Sequence, residues 1–346
     1  MSHRLTLIFL ALLPFQFVVS IFGWDVPTAR LLAGLILVSF AVERLWARHY
    51  ILPPLLPTAL LLSFLGWSWL SLLWADRVDL ALPKAVFLTN LLPLFFVWHF
   101  QSVSDAQYQH HSLRALARGA GVAAFSGILI FFAQFVFGVS VTFHFLLERI
   151  LPFFLGRELS GMVALYPSLL VNIDGVTWLR ATALFPDPHV AAFFFGMVAF
   201  LALGLARHFP EKSATNLFIL LFGAAILSFS RGGYLGLFIG GVSYFFLVQP
   251  RRFPFSRSGF VKVALFTGLG ALLFAVPVLS RFFASFTLLD ASSLERLTLW
   301  KAALLALAEK PFMGTGIGNY LSSVHPLASA GTPFYAHNLF LDTTLE

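Results

Sequence analysis

Long apolar runs separated by short polar stretches dominate the chain. Runs of roughly 17 to 25 residues are what an α-helix needs to cross a bilayer. They fall at Leu5–Phe22, Leu31–Leu45, Leu55–Trp74, Ala85–Phe100, Gly119–Val139, Val190–Ala206, Ala214–Phe229, Gly233–Val248 and Phe260–Leu279. A further span is expected to start near His337. The pattern predicts an all-α, polytopic membrane helix bundle of about ten spans, forming a single membrane domain over residues 1–346. The first run has no clear small-x-small cleavage site and is followed at once by another span, so a retained helix is expected in place of a signal peptide.

Two stretches break the rhythm, at approximately 140–189 and 280–336. The part from Phe143 to Leu179 is rich in Leu, Phe and Pro, and is expected to pack on the membrane surface or the bundle. The part from Ser292 to Lys310 reads as an amphipathic helix along the membrane rim, with Leu294, Leu297, Trp300, Leu304 and Leu305 near one face. Ser292 or Ser293 can cap its start, Glu295 lies in its first turn, and Lys310-Pro311 ends it.

Composition sharpens this picture. The chain is 59% hydrophobic and only 11% charged, with a mean hydropathy of +0.88; soluble domains carry roughly 25% charged residues. The net charge of +7 is spread thinly, without a basic run, which argues against a nucleic-acid face. There are no cysteines, so disulfides and thiolate chemistry are excluded. With the N-terminus in the cytoplasm, the inner loops carry Arg4, Arg44, Arg48, Arg114, Arg118, Arg207, Lys212, Arg251, Arg252, Arg257 and Lys262. The short outer loops then carry only Arg30, Arg77, Lys84 and Arg231, the asymmetry that the positive-inside rule requires. Both long stretches fall outside on this topology.

The candidate chemistry lies on that outer side. Arg231 is the only charge between Lys212 and Arg251, and it sits in Ser228-Phe-Ser-Arg-Gly-Gly-Tyr-Leu-Gly236 between two apolar runs. A cation there is costly, so a functional reading competes with that of a snorkelling anchor. Arg180, Arg296 and His337 are the other isolated cations placed on this side. Planar guanidinium forks suit phosphate oxygens, and an imidazole can serve as a base near neutral pH. Each residue alone has a bland explanation; the four on one face are the stronger signal. Together they suggest a site for an anionic, lipid-linked substrate.

Weaker signals add little. Gly314-Thr-Gly316-Ile-Gly318 has no strand before it, so it is read as a turn and not as a dinucleotide loop. His110-His111 lacks nearby ligands, and Asp174 and Asp187 form no acidic metal motif. No metal and no cofactor is expected.

Four stretches carry a resemblance to a known family. They are Leu70-Ser-Leu-Leu-Trp-Ala-Asp76, Arg180 through His189, Ser228 through Gly236, and the run from Arg296 through Trp300, Pro311, Gly314, Gly316 and Gly318 to His337-Asn338. In order and spacing they resemble the O-antigen ligase and O-antigen polymerase superfamily of bacterial membrane glycosyltransferases. His189 stands where the family usually has Asn. The resemblance implies a helical bundle with a periplasmic lid, a multi-pass protein of the bacterial inner (plasma) membrane and an active site facing the periplasm. It implies transfer of a glycan from an undecaprenyl-pyrophosphate carrier to a sugar hydroxyl of lipid A-core, in lipopolysaccharide biosynthesis; a polymerase would use a second lipid-linked glycan as acceptor, and a related branch glycosylates proteins. Carried over by position, Arg231 and Arg296 grip the pyrophosphate and His337 takes or orients the acceptor proton, these being the catalytic residues. Arg180 and Asn338 are assigned to substrate binding. The reaction implied is metal-independent. The family continues through further spans, so C-terminal spans are expected to be missing beyond Glu346, and Leu339–Glu346 alone is too short to cross a membrane. Two readings of other classes stand beside the enzyme: a membrane anion transporter, which would want its cations at mid-membrane between broken helices, and a scaffold subunit of a glycan-export complex.

Overall fold

The computed structural model describes residues 1–21, 24–47, 54–165, 168–173, 175–205, 211–247, 279, 291–324 and 338–346. In chain order the elements begin with α1 (Ser2–Leu12), a hairpin of β1 (Val18–Ile21) and β2 (Trp24–Pro27), α2 (Thr28–Ala47), α3 (Leu55–Leu70), α4 (Val78–Leu91) and α5 (Leu94–Ser104). Next come α6 (Ala106–Phe137), α7 (Val139–Phe145), a π-helical turn over Leu146–Ile150, α8 (Leu151–Leu165), and a second hairpin of β3 (Leu170–Ile173) and β4 (Val176–Leu179). The rest is α9 (Pro188–Gly204), α10 (Glu211–Leu227), α11 (Arg231–Leu247), α12 (Ala291–Glu309), α13 (Tyr320–Val324) and α14 (Leu339–Leu345).

Among the described residues, four helical stretches are long and apolar enough to cross a membrane: Leu55–Leu73, Val78–Ser104, Gln107–Phe137 and Val139–Arg157. Ser2–Leu12, Pro188–Gly204 and Ser213–Leu227 are shorter apolar helices. The first three long stretches cover expected spans. The fourth falls in the segment read from the sequence as an outer loop. There His144, Glu148 and Arg149 interrupt the hydropathy, yet the helix runs on through the π-helical turn and is kinked only at Gly156, whose φ is +79°. The expected span Phe260–Leu279 lies outside the described residues except for Leu279.

The chain divides into two compact units, one of residues 1–40 and 101–285, the other of 41–100 and 286–346. In the first, α6 starts on Asp105, whose side chain accepts the Gln107 N–H at 2.9 Å, and stops at Gly138. Its Ala117, Ala120, Ala123 and Ala124 are fully buried against Ala191, Phe195 and Ala199 of α9 and Leu221, Ala224 and Ala225 of α10. Small residues let the helix backbones approach where there is no water to drive them together. In the β3–β4 hairpin, Ile173 pairs with Val176, leaving a two-residue connection that the sequence fills with Asp-Gly. That dipeptide between β-branched residues is the usual signal for a tight hairpin turn, and Gly175 has φ +84°.

In the second unit α12 packs on α13 and α14 through Leu299, Ala302, Ala303, Ala306, Tyr320, Val324 and Leu345. On the leucine face read as lying along the membrane rim, Leu297, Leu304 and Leu305 are exposed, at 46%, 53% and 51%, while Trp300 packs against this cluster. The helix is apolar on both sides; its alanine side permits close packing and its leucine side stays open.

Candidate functional site

The four motif stretches come together in pairs, one pair in each unit.

In the first unit the segment Arg180–His189 meets the turn Leu227–Arg231 between α10 and α11. Gln134 of α6 holds the end of β4 as a strand would: its Oε1 accepts the Leu179 N–H at 2.8 Å and its Nε2 donates to the Leu179 carbonyl at 3.1 Å. The Arg180 N–H then donates to the Leu169 carbonyl at 2.9 Å, and the Ala181 N–H donates to the Leu227 carbonyl at 3.0 Å. The Arg180 guanidinium is itself buried, 5% exposed. It donates through Nη1 to the Ser168 carbonyl at 3.0 Å and through Nη2 to the Phe229 carbonyl at 2.9 Å.

Further along, Asp187 caps α9, accepting the N–H groups of His189 at 2.6 Å and Val190 at 3.2 Å, and Pro188 occupies the first turn, where its missing N–H costs nothing. His189 Nδ1 pairs with Ser230 Oγ at 2.7 Å. Ser230 Oγ also accepts the Gly233 N–H at 3.2 Å, and so caps the start of α11. The turn is completed by Ser228, whose Oγ donates to the Ala225 carbonyl at 2.6 Å and accepts the Ser230 N–H at 3.3 Å.

Both strands of this node are strained. Ala183 has φ +53° and Phe229 φ +51°, the left-handed region that costs a non-glycine residue about 1–3 kcal/mol. Such positions cluster at functional sites. Arg231, two residues after Phe229, is half-buried and opens α11. The positive end of the helix dipole disfavours a cation there and favours an anion. Gly233 lets α11 lie close on α9; a Cβ there would come within 2.6 Å of the Ala192 Cβ. Between these two helices runs an apolar cleft of about 450 Å³, bordered by Phe193, Met197, Phe200, Gly233, Leu237 and Tyr244 among others.

In the second unit the Trp74-Ala-Asp76 end of the first motif meets the glycine turns after α12. Trp74 Nε1 donates to the Met313 carbonyl at 2.8 Å, and Lys310 pairs with Asp76 at 3.1 Å. The Ile317 N–H donates to Ser71 Oγ at 3.1 Å, and Asn319 Oδ1 accepts the Arg77 N–H at 2.8 Å. Gly314, Gly316 and Gly318 have φ of +63°, +89° and +76°. A Cβ on Gly316 would meet Ala75 Cα at 2.7 Å, and one on Gly318 the Leu80 carbonyl at 2.8 Å. Thr315 ties this loop to α14, its N–H donating to the Leu345 carbonyl at 2.6 Å. Burial and the carboxylate of Asp342 push the Tyr320 phenol well above its ordinary range.

The residues singled out from the sequence are thus distributed. Arg180 and Arg231 belong to the first unit, and Arg296 and Asn338 to the second. Arg296 is half-buried on α12. Asn338 caps α14, its Oδ1 accepting from Phe340 N–H at 3.1 Å and Leu341 N–H at 3.4 Å. His337 lies outside the described residues. Gln134, Ser168 and Asn319 were not singled out. Gln134 carries a sequence signal, an amide among the apolar residues from Phe131 to Phe137. Among the described residues, no three His, Asp or Glu side chains gather as metal ligands would.

A comparison with known proteins bears on the same stretches. A family model described as O-antigen ligase matches residues 217–346. No curated protein and no solved structure matches the chain. The matched region starts within α10 and takes in the Ser228–Gly236 turn, α12 with Arg296, the glycine turns and His337-Asn338; Arg180 and its loop precede it. Over residues 217–346 this helix-rich chain is similar to the O-antigen ligase family.

Proposed function

We propose that the protein is a periplasmic-face glycosyltransferase of the bacterial inner membrane. It moves a glycan from an undecaprenyl-pyrophosphate carrier to a sugar hydroxyl of lipid A-core. The family match supports the reaction class. The single observation that carries the donor's chemistry is the placement of Arg231 at the N-terminus of α11, next to an apolar cleft between α9 and α11. A cation and a helix dipole suit a pyrophosphate, and the cleft suits the first part of its isoprenoid chain.

In this reading the acceptor hydroxyl oxygen attacks the anomeric carbon of the donor sugar, and the bond from that carbon to the pyrophosphate oxygen breaks. The polyprenyl pyrophosphate leaves with the electron pair, and His337 takes the hydroxyl proton. Arg231 and Arg296 hold the leaving pyrophosphate, whose charge grows as the bond breaks; fixed donors aimed at developing charge are commonly the largest catalytic contribution. Asn338 contributes to acceptor binding beside His337. Arginines supply the positive charge that a divalent ion supplies elsewhere, so the reaction proceeds without a metal.

The test is reconstitution of the protein in liposomes with lipid-linked glycan and lipid A-core. The expected product is glycan on lipid A-core, formed equally with and without chelator. Growth of glycan on the lipid carrier alone would make the protein a polymerase. Anion uptake into the liposomes with neither product would replace the enzyme by a transporter, and loss of transfer on chelation would overturn the metal-free mechanism.

A further inference from the structure

Three links fix the turn before Arg231, and all come from one segment. The Leu227 carbonyl is held by the Ala181 N–H at 3.0 Å, the Phe229 carbonyl by the Arg180 guanidinium at 2.9 Å, and the Ser230 hydroxyl by the His189 imidazole at 2.7 Å. The turn needs them. Phe229 holds φ +51°, a conformation that a non-glycine residue keeps only when its surroundings impose it. Its side chain is wholly buried, packed with Phe131 and Trp178. The holding segment is itself pinned from behind by Gln134 on Leu179 and by α6 at Gly127, where a Cβ would come within 2.8 Å of the Ala183 nitrogen.

We propose that Arg180 and His189 are positioning residues, which aim Arg231 by gripping the two residues before it. Arg180 does not reach the substrate; its Nη atoms are engaged with two backbone carbonyls inside the fold. This inference rests on the reading of Arg231 as a pyrophosphate ligand. An arginine carries about 2 kcal/mol of rotamer entropy, and a fork meeting two phosphate oxygens tolerates little error; a displacement of about 1 Å at a catalytic group can cost roughly 100-fold in rate. A backbone set by links from outside its own helix meets that demand.

The experiment uses His189, because its loss leaves the buried Arg180 links in place. In the full-length protein, His189→Ala is expected to lower kcat/KM for glycan transfer, per folded molecule, by roughly 10- to 100-fold. His189→Asn, whose amide reaches the same hydroxyl, is expected to restore transfer to within about threefold, and Ser230→Ala is expected to lower transfer by a smaller factor in the His189→Ala background than in the wild type, where it removes the His189 contact as well as the cap of α11. A merely structural role would show a lowered Tm with unchanged transfer per folded molecule, and would overturn the proposal; so would an Asn variant no better than Ala. A second readout does not depend on transfer: the rate of Arg231 modification by phenylglyoxal, located by mass spectrometry. It should change severalfold in His189→Ala and return in His189→Asn. If the wild-type protein transfers no glycan, the proposed activity fails while this labelling still decides the positioning; unchanged labelling in His189→Ala sinks the positioning alone.

Discussion

The turn before Arg231 and the turns after α12 face the same problem by opposite means. Each brings irregular backbone against a second motif stretch. Around Gly314, Gly316 and Gly318 the chain uses residues with no Cβ, so left-handed φ values cost little and Ala75 and Leu80 can lie directly on the backbone. Around Phe229 and Ala183 it uses residues that resist that conformation, and holds them with a buried guanidinium, an imidazole–hydroxyl pair and a glutamine on a neighbouring helix. The glycine turns hold their left-handed φ values without strain, and links to Ser71, Trp74 and Leu345 only place them. The braced turn is set by long-range links, so its position can be tuned from another element. A turn that must aim a charged side chain benefits from the second arrangement.

Substitutions can break this contrast, and the largest expected effect is at the brace. Arg180→Met leaves the Ser168 and Phe229 carbonyls without their charged donor. At about 1.5–3 kcal/mol for each hydrogen bond to a charged group, the loss should be about 4 kcal/mol, read as a lowered unfolding midpoint in detergent. Next is Gly316→Ala, which adds left-handed strain to a collision with Ala75 and should cost about 3 kcal/mol in the same measurement. In the fold Asn338→Ala removes the cap of α14, and in the same measurement it should cost about 1 kcal/mol. Least of all is Ala183→Gly: relief of strain is opposed by added freedom in the unfolded chain, and the midpoint should move by no more than about 1 kcal/mol in either direction. If Ala183→Gly and Gly316→Ala had similar effects, the distinction between braced and glycine turns would be lost.

Much of the helical frame was legible from hydropathy, because span length leaves few alternatives. α12 was read as Ser292–Lys310 and runs Ala291–Glu309. The leucine pattern marks its apolar face but not the alanine face that packs on α13 and α14, since leucine marks hydrophobicity while alanine marks close packing. The β3–β4 hairpin leaves only a faint signal, Asp-Gly between β-branched residues, because two four-residue strands are short beside the apolar runs. Arg180 was legible as an isolated cation but not as a brace, because its partners are carbonyls 12 and 49 residues away, and carbonyls leave no trace in sequence. The pairing of His189 with Ser230 is hidden for the same reason of distance, 41 residues. Arg231, read as an isolated cation in a turn between two apolar runs, is half-buried and opens α11.

The proposed reaction depends most on Arg231, and glycan transfer by the reconstituted protein tests that role most directly. At equal amounts of folded protein, Arg231→Ala should lower transfer from the lipid-linked donor by about 100-fold or more, and Arg231→Lys, which keeps the charge but not the fork, should recover only part of it. Transfer by Arg231→Ala at the wild-type rate would contradict the account.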